Sequence, residues 1–156
     1  MEDNLIEEII AKGLHEIQTD KLFSKENLFR TINLTEQMAQ KIHVSVTICI
    51  TDRAGTVLIS YHMQEANLVS VTLAPKKALS ALMMKSQTKD LNKETNPQAS
   101  LYNMETMMDG RLVTFAGGIP IKLEEKIIGA IGVSGGLVEE DQMLCETAVA
   151  AFLKGE

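Results

Sequence analysis

Two glycine-rich stretches in the last third of the chain constrain its fold more than any other sequence feature. The first reads AGGIPI over residues 116–121, and the second reads IGAIGVSGG over residues 128–136. Together they contain six of the ten glycines: Gly117, Gly118, Gly129, Gly132, Gly135 and Gly136. Glycine inside a strand costs conformational entropy and packs no side chain. A chain that repeats it there needs its backbone to lie close to a helix, a neighbouring subunit or a ligand.

Composition and charge exclude several classes of protein. The 156 residues carry a formal net charge of -6 and contain no run of Lys or Arg, so nucleic acid and anionic membranes are poor partners. The apolar runs are too short to span a membrane. The acidic N-terminus lacks the basic start of a secretory signal, so we expect a cytoplasmic protein. Cys49 and Cys145 lack metal-type spacing, which predicts two buried free thiols rather than a disulfide.

Alternating and β-branched residues predict five strands. They are expected at Val44–Thr51, Thr56–Met63, Leu112–Phe115, Ile119–Leu123 and Lys126–Val133. Because tight turns join the strands within two groups, the sheet should be mainly antiparallel. Helices on both faces would complete an α+β fold, a three-layer α/β/α sandwich with a five-stranded sheet.

Helical patterns dominate the start of the chain. Apolar residues recur at helical spacing over residues 4–18, which predicts an amphipathic helix. Ser24 predicts the cap of a short helix, and Asn33 predicts the cap of another. We therefore expect residues 1–30 to form a helical extension ahead of a main domain at residues 31–156.

Two more helices and a loop are predicted further on. Thr72 predicts the cap of a helix that tolerates Pro75 in its first turn. Small residues on one face of this helix, Ala74, Ala78 and Ala81, should let it lie close to the sheet. Residues 86–110 are polar and rich in turn formers, which predicts a long loop that could contain a helical turn. The acidic residues 139–141 favour the start of a final helix.

The segment at residues 132–136 matches G-x-S-x-G, the nucleophile elbow of serine hydrolases. In that fold the catalytic His follows the Ser, whereas His15, His43 and His62 all precede Ser134. We therefore expect Ser134 not to be a nucleophile, and we assign no catalytic residue. The three histidines also lack paired ligand spacing, so no metal site is predicted.

Other residues allow two interpretations. Backbone N–H groups near Gly117 and Gly118, or near Ser134, could hold an anion or a carboxylate, or the glycines could serve packing alone. Lys77 near the start of a helix is unfavourable to the helix dipole. It could be solvated, or it could pair with a carboxylate or an anionic ligand.

Several motifs, taken together, resemble the GlcG/HbpS-like family, also called the haem-degrading domain family. They are D-x-x-G at residues 52–55, S-x-x-x-A-x-x-K-A at 70–78, G-G-[IL]-P-[IL] at 117–121 and I-G-A-I-G-V-S-G at 128–135. The resemblance covers residues 34–154. The stretch from residue 100 to residue 136 is especially similar to the small member encoded with glycerol or diol dehydration enzymes.

The resemblance implies a profilin-like fold, a homo-oligomer (dimer or larger) and, in some members, haem binding or slow haem degradation. Lys126 departs from the family pattern, in which a turn glycine is common, and no motif fixes an axial haem ligand. A haem pocket would need an axial donor, an apolar slot and partners for the propionates. The candidate cofactor-binding residues are His62, Met63, Lys77, Arg111, Gly117, Gly118 and Ser134.

These observations predict a small ligand-binding protein with haem as its candidate cofactor. Its role would be accessory to haem or corrinoid handling, or to glycerol, diol or glycolate catabolism. One alternative is an enzyme acting on a small carboxylate or another metabolite through Lys77 and the glycine-rich segments. The other is a structural oligomer that binds only protein partners.

Overall fold

The computed structural model describes the backbone of residues 2–155 and the side chains from residue 4. Six helices and four strands lie within these residues. In chain order they are α1 (Glu2–Leu22), α2 (Lys25–Lys41), β1 (Thr47–Asp52), β2 (Val57–His62), α3 (Val69–Met84), α4 (Thr88–Thr95), α5 (Met104–Met107), β3 (Gly118–Leu123), β4 (Lys126–Ser134) and α6 (Val138–Lys154).

The strands form one antiparallel sheet in the order β2-β1-β4-β3. The prediction of a fifth strand at Leu112–Phe115 is wrong, because this segment is irregular. Its hydrogen bonds to α3 and α5 replace those that a neighbouring strand would make. The amide of Val113 donates to the Ser80 hydroxyl on α3 at 2.8 Å. The hydroxyl of Thr114 donates to Glu105 on α5. The residues of this segment favour a strand, but the Ser80 side chain on α3 accepts the hydrogen bond that the Val113 amide would otherwise donate to a neighbouring strand.

Helices cover both faces of the sheet. On one face, α2 and α6 pack over the larger core, whose fully buried members include Ile48, Ile50, Ile131, Leu144 and Phe152. On the other face, α3 lies against β4, β1 and β3 through a small cluster of alanines. The fold is therefore a mixed α/β layer structure, with thick apolar packing on one side and close backbone packing on the other.

The glycine-rich stretches permit that close packing. A Cβ atom on Gly132 would overlap the carbonyl oxygen of Ala74, and one on Gly118 would overlap the carbonyl oxygen of Lys77. Both oxygens belong to the backbone of α3. This confirms that glycine is needed for close approach, and it shows that the approaching element is a helix.

Of the three predicted helix caps, one is confirmed and two are wrong. The Ser24 cap is confirmed, because its hydroxyl accepts from the amide of Asn27 at 3.2 Å. The Asn33 cap is wrong, because α2 runs through that residue without a break. The Thr72 cap is also wrong, because α3 begins at Val69. The side chain of Asn67 accepts from the amide of Ser70 at 3.0 Å and so starts the helix earlier.

The polar segment 86–110 is more helical than predicted, because it contains the eight-residue α4 as well as the single turn α5. Helix α4 buries Thr88, Leu91 and Thr95 on one side, although most of its residues are polar. A single buried leucine in eight residues carries too little periodicity to be recognised in the sequence.

Helix α1 contains the amphipathic helix that was predicted over residues 4–18 and is longer than it at both ends. It leads directly towards α2, which packs along α6. The division of the chain between residues 30 and 31 stays a prediction. None of the helices within residues 2–155 combines the length and hydropathy that a membrane crossing requires.

Candidate functional site

The strand register gathers four strand ends at one end of the sheet. Thr47, at the start of β1, pairs with His62 at the end of β2 and with Ser134 at the end of β4. Strand β3 begins beside them at Gly118, which pairs with Gly132. We call this region the strand-end site. Helices α3 and α6 also begin here, since the Asn67 side chain donates to the carbonyl oxygen of Gly135 at 3.1 Å.

A buried ion pair lies beneath the strand-end site. The Lys77 side chain is 0% exposed, and its Nζ lies 2.7 Å from Oδ2 of Asp141. The same Nζ donates to the carbonyl oxygen of Val133 at 3.0 Å and lies 5.0 Å from the ring centre of Phe115. Lys77 therefore pairs with a carboxylate, as one alternative predicted, and the solvated alternative is wrong.

Asp141 is held from two sides. Its Oδ2 accepts from Lys77, while its Oδ1 accepts from the amide of Gly136 at 2.9 Å. Burial raises the pKa of Asp141 above its usual value, whereas Lys77 and the backbone amides of Gly135 and Gly136 act in the opposite direction. The negative charge of Asp141 therefore depends on its partners, and the pair acts as one unit joining α3 to the start of α6.

Two clefts open beside Phe115, a residue that is 40% exposed. The larger has a volume of about 540 Å³ and is lined by residues of α4 and α6, among them Lys89, Gln142 and Met143. The smaller, of about 160 Å³, is lined in part by Ser134 and Asp141. Phe115 and Val138 line both clefts, so these two side chains form the wall between them.

Exposed apolar side chains lie in and next to the segments that line the clefts. Leu68 is 82% exposed just before α3, and Leu137 is 68% exposed just before α6. We call this set the apolar rim; its members are Leu68, Val69, Phe115, Leu137 and Val138. Clustered exposed apolar side chains of this kind mark ligand-binding or interaction surfaces. The sequence reasoning missed the rim because its members come from three segments that the fold alone brings together.

The amides of the Gly117-Gly118 pair are already bonded to side chains. The amide of Gly117 donates to Oε1 of Gln142 at 3.2 Å, and the amide of Gly118 donates to the Thr88 hydroxyl at 2.9 Å. Gly117 also has a φ of +110°, which favours glycine. These contacts support the packing interpretation of the two glycines. The sequence reasoning did not identify Gln142 or Thr88 as their partners.

His62 and Met63 have different surroundings although they are adjacent. Nδ1 of His62 lies 2.8 Å from the Thr47 hydroxyl, which in turn lies 2.6 Å from the Ser70 hydroxyl. The half-buried His62 ring is thus fixed through one nitrogen. Met63 is buried in the larger core, and its sulfur accepts from the amide of Val46 at 3.4 Å.

Arg111 lies away from the other candidates, on an exposed segment after α5. Its Nε donates to the carbonyl oxygen of Met108, and the segment is held to α3 by Lys76, which donates to Gly110. The structure therefore brings Lys77, Gly117, Gly118, Ser134 and His62 to the strand-end site, whereas Arg111 lies on a separate segment. Of these candidates Ser134 lines the smaller cleft, and His62 and Arg111 line neither of the two clefts. Among residues 2–155, no group of three or more His, Cys, Asp or Glu is arranged to hold a metal ion.

Comparisons with known proteins agree on one family. The family described as "Haem degrading protein HbpS-like" matches residues 23–150. The corrinoid adenosyltransferase PduO of Citrobacter freundii is 36% identical over 97% of this chain and 47% of its own length. An uncharacterised 15.0 kDa protein from the dhaT-dhaS intergenic region of the same organism is 38% identical over 75% of this chain and 82% of its own.

A solved structure shows the same fold. The crystal structure of a PduOC:heme complex is 39% identical, has a TM-score of 0.79 and covers 82% of this chain and 93% of that one. The chain spans about half the length of the PduO relative. The resemblance found in the sequence is therefore confirmed at the level of family.

Proposed function

The chain belongs to the HbpS-like family of haem-degrading proteins, and from that premise we propose that it binds haem at the strand-end site. The PduOC protein that was crystallised with haem is similar over most of this chain. The observation that carries the proposal is the apolar rim. Haem needs an apolar slot for its ring, an axial donor and partners for its propionates, and each requirement can be examined separately.

The apolar rim supplies the slot. Three of its apolar side chains, Val69, Phe115 and Val138, line the two clefts, and the exposed Leu68 and Leu137 adjoin them in sequence. Burying such a surface against a tetrapyrrole would remove it from water, which is the main driving force for binding flat apolar ligands. Phe115 and Val138 separate the two clefts, so joining them into one larger space would require both side chains to move.

His62 is the proposed axial donor. Its Nδ1 is held by the Thr47 hydroxyl, which leaves Nε2 as the free ring nitrogen. Ligating histidines commonly have one nitrogen fixed in this way, because the bond orients the ring and sets its tautomer. The Met63 sulfur accepts a hydrogen bond within the core, so it is poorly placed for the same role.

The propionates would meet an exposed cation rather than Lys77. Lys77 is buried beneath Phe115 and already bonded to Asp141. Lys89 lines the larger cleft and has a side chain that is 41% exposed, with Glu146 at 3.5 Å as its partner. An exposed pair of this kind is weak and can exchange partners at little cost. We assign Lys89 the propionate contact and Lys77 a positioning role.

The test is a hemin titration followed by the Soret band. We expect binding at micromolar concentration or tighter for the wild type. We expect His62→Ala to weaken binding about tenfold or more, as loss of an axial ligand should. His15→Ala and His43→Ala are matched controls and should bind as the wild type does. Absence of a shifted Soret band would remove haem from the function, whereas equal binding by all three variants would remove only His62.

A corrinoid is the second candidate ligand, because the PduO relative carries the name corrinoid adenosyltransferase. Adding hydroxocobalamin during the hemin titration distinguishes the two. Competition at comparable concentrations would favour a tetrapyrrole site of broad specificity. Unchanged hemin binding would restrict the site to haem. An accessory role in glycerol, diol or glycolate catabolism stays a prediction.

A further inference from the structure

A chain of hydrogen bonds runs from the His62 ring into the interior of the protein. Nδ1 of His62 lies 2.8 Å from Oγ1 of Thr47, and that oxygen lies 2.6 Å from Oγ of Ser70. The Ser70 hydroxyl in turn donates to the carbonyl oxygen of Asn67 at 2.5 Å. We call these four groups the His62 relay. Thr47 and Ser70 are both 0% exposed, so bulk water does not compete for their hydroxyl groups.

The last group of the relay fixes the direction of every bond before it. A carbonyl oxygen can only accept, so the Ser70 hydroxyl uses its one proton in the bond to Asn67. Ser70 must then accept from Thr47, because a hydroxyl has a single proton to donate. Thr47 has likewise used its proton, so it must accept from Nδ1 of His62. The relay therefore requires the proton of a neutral His62 ring to be on Nδ1.

We propose that Thr47 and Ser70 are positioning residues that hold His62 in the Nδ1–H tautomer, with an unprotonated Nε2. In a neutral imidazole one nitrogen is a donor and the other carries a free lone pair. Within residues 4–155, the ring makes its one hydrogen bond through Nδ1, so the lone pair of Nε2 is available to an electrophile such as a metal ion. The assignment of haem iron as that electrophile rests on the proposed function, whereas the tautomer does not.

The relay is anchored where helix α3 begins. The side chain of Asn67 accepts from the Ser70 amide at 3.0 Å and donates to the carbonyl oxygen of Gly135 at 3.1 Å. These two bonds hold Asn67 between α3 and the end of β4. Asn67 also lines the smaller cleft, whereas His62 does not, so the relay connects the ring to the wall of that cleft. The group that decides the tautomer is thus a backbone oxygen in a fixed position.

Removing the Ser70 hydroxyl should reverse the relay. If His62 still donated to Thr47 in Ser70→Ala, the Thr47 proton would be buried without an acceptor, which is costly. Both groups are satisfied when Thr47 donates to Nδ1, and the ring proton then moves to Nε2. Thr47→Val keeps the shape of the side chain but removes the hydroxyl, so the ring should populate both tautomers. Thr47→Ser keeps the hydroxyl and is the matched control.

The first experiment measures the tautomer in the ligand-free full chain by NMR of protein labelled with ¹⁵N-histidine. Long-range ¹H–¹⁵N correlations distinguish a protonated from an unprotonated ring nitrogen, and His62→Ala identifies the signals of His62. At a pH at which imidazole is neutral, we expect Nδ1–H in the wild type and in Thr47→Ser, and Nε2–H in Ser70→Ala. A wild-type proton on Nε2, or a Ser70→Ala variant that keeps the proton on Nδ1, would overturn the relay.

The second experiment titrates the same proteins with hemin and follows the Soret band. Thr47→Val and Ser70→Ala should weaken binding about 10- to 100-fold, as loss of a partner of a metal-ligating histidine does, and Thr47→Ser should bind as the wild type does. Unchanged circular dichroism spectra verify that the variants fold. Hemin binding that is lost in His62→Ala but unchanged in Thr47→Val and Ser70→Ala would overturn the positioning role. A wild type that binds no hemin would overturn the proposed function, while the NMR spectra still decide the tautomer.

Discussion

Removing one member of the buried Lys77–Asp141 pair should cost far more stability than removing both. The two side chains are 0% and 5% exposed, so solvent screens their attraction very little. Three variants test this: Asp141→Asn, Lys77→Met and the double variant. Asn at position 141 keeps an oxygen that can accept from the Gly136 amide, so the substitution removes the charge while it keeps that hydrogen bond.

The magnitude follows from the groups that remain. In Asp141→Asn, the Lys77 ammonium keeps only the Val133 carbonyl and the Phe115 ring as partners, and a buried charge left without its counter-ion costs about 3–5 kcal/mol. Lys77→Met should cost less, because burial already raises the pKa of Asp141 and the carboxyl can take up a proton. The double variant buries no charge, so we expect it to lie within about 1–2 kcal/mol of the wild type.

The assay is urea unfolding near neutral pH, with free energies from linear extrapolation. The predicted signature is a coupling energy of about 2 kcal/mol or more between the two positions. Losses that simply add in the double variant would refute the reasoning. So would an Asp141→Asn variant that loses less than about 1 kcal/mol, since the pair would then contribute little to the fold.

Glycine packing, thiol burial and the surroundings of Ser134 each give a further measurable outcome. Gly118→Val should lower the free energy of unfolding by about 1 kcal/mol or more, because its Cβ would meet the Lys77 backbone; an unchanged melting temperature would contradict this. Burial raises the pKa of Cys49 to about 12 and raises that of Cys145 as well, so neither thiol should react with Ellman's reagent at about pH 8 until the protein is denatured. A fluorophosphonate should leave Ser134 unlabelled, and labelling that disappears in Ser134→Ala would restore the hydrolase interpretation.

The elements with strong local patterns could be predicted from the sequence. Strand β1 alternates between side chains that face the two layers, and the structure buries Ile48 and Ile50 in the larger core. The small residues of α3 indicated close packing, which the contacts of Gly132 confirm. In both cases the pattern itself is contained within one short segment of the chain.

The features that were missed depend on contacts between distant segments. Residues 112–115 have the composition of a strand, but the Ser80 hydroxyl takes the Val113 amide. The partner of Lys77 lies 64 residues away, so the sequence suggested a carboxylate without identifying Asp141. The rim likewise forms only where three separate segments meet. A sequence pattern reports local geometry, and these contacts are decided by the assembled fold.

The close contact between α3 and the glycines of β3 and β4 determines how the strand-end site can move. Where side chains separate a helix from a sheet, rotamer changes let the two slide by fractions of an ångström. Here the backbone of α3 is in direct contact with the backbone of the strands. Rotamer changes therefore cannot allow the helix to slide. Lys77 projects from the same helix, and its buried ammonium group is held by Asp141 and by the carbonyl oxygen of Val133. The adaptable parts of the site are therefore the outer side chains, Phe115 and the rim, moving over a rigid base.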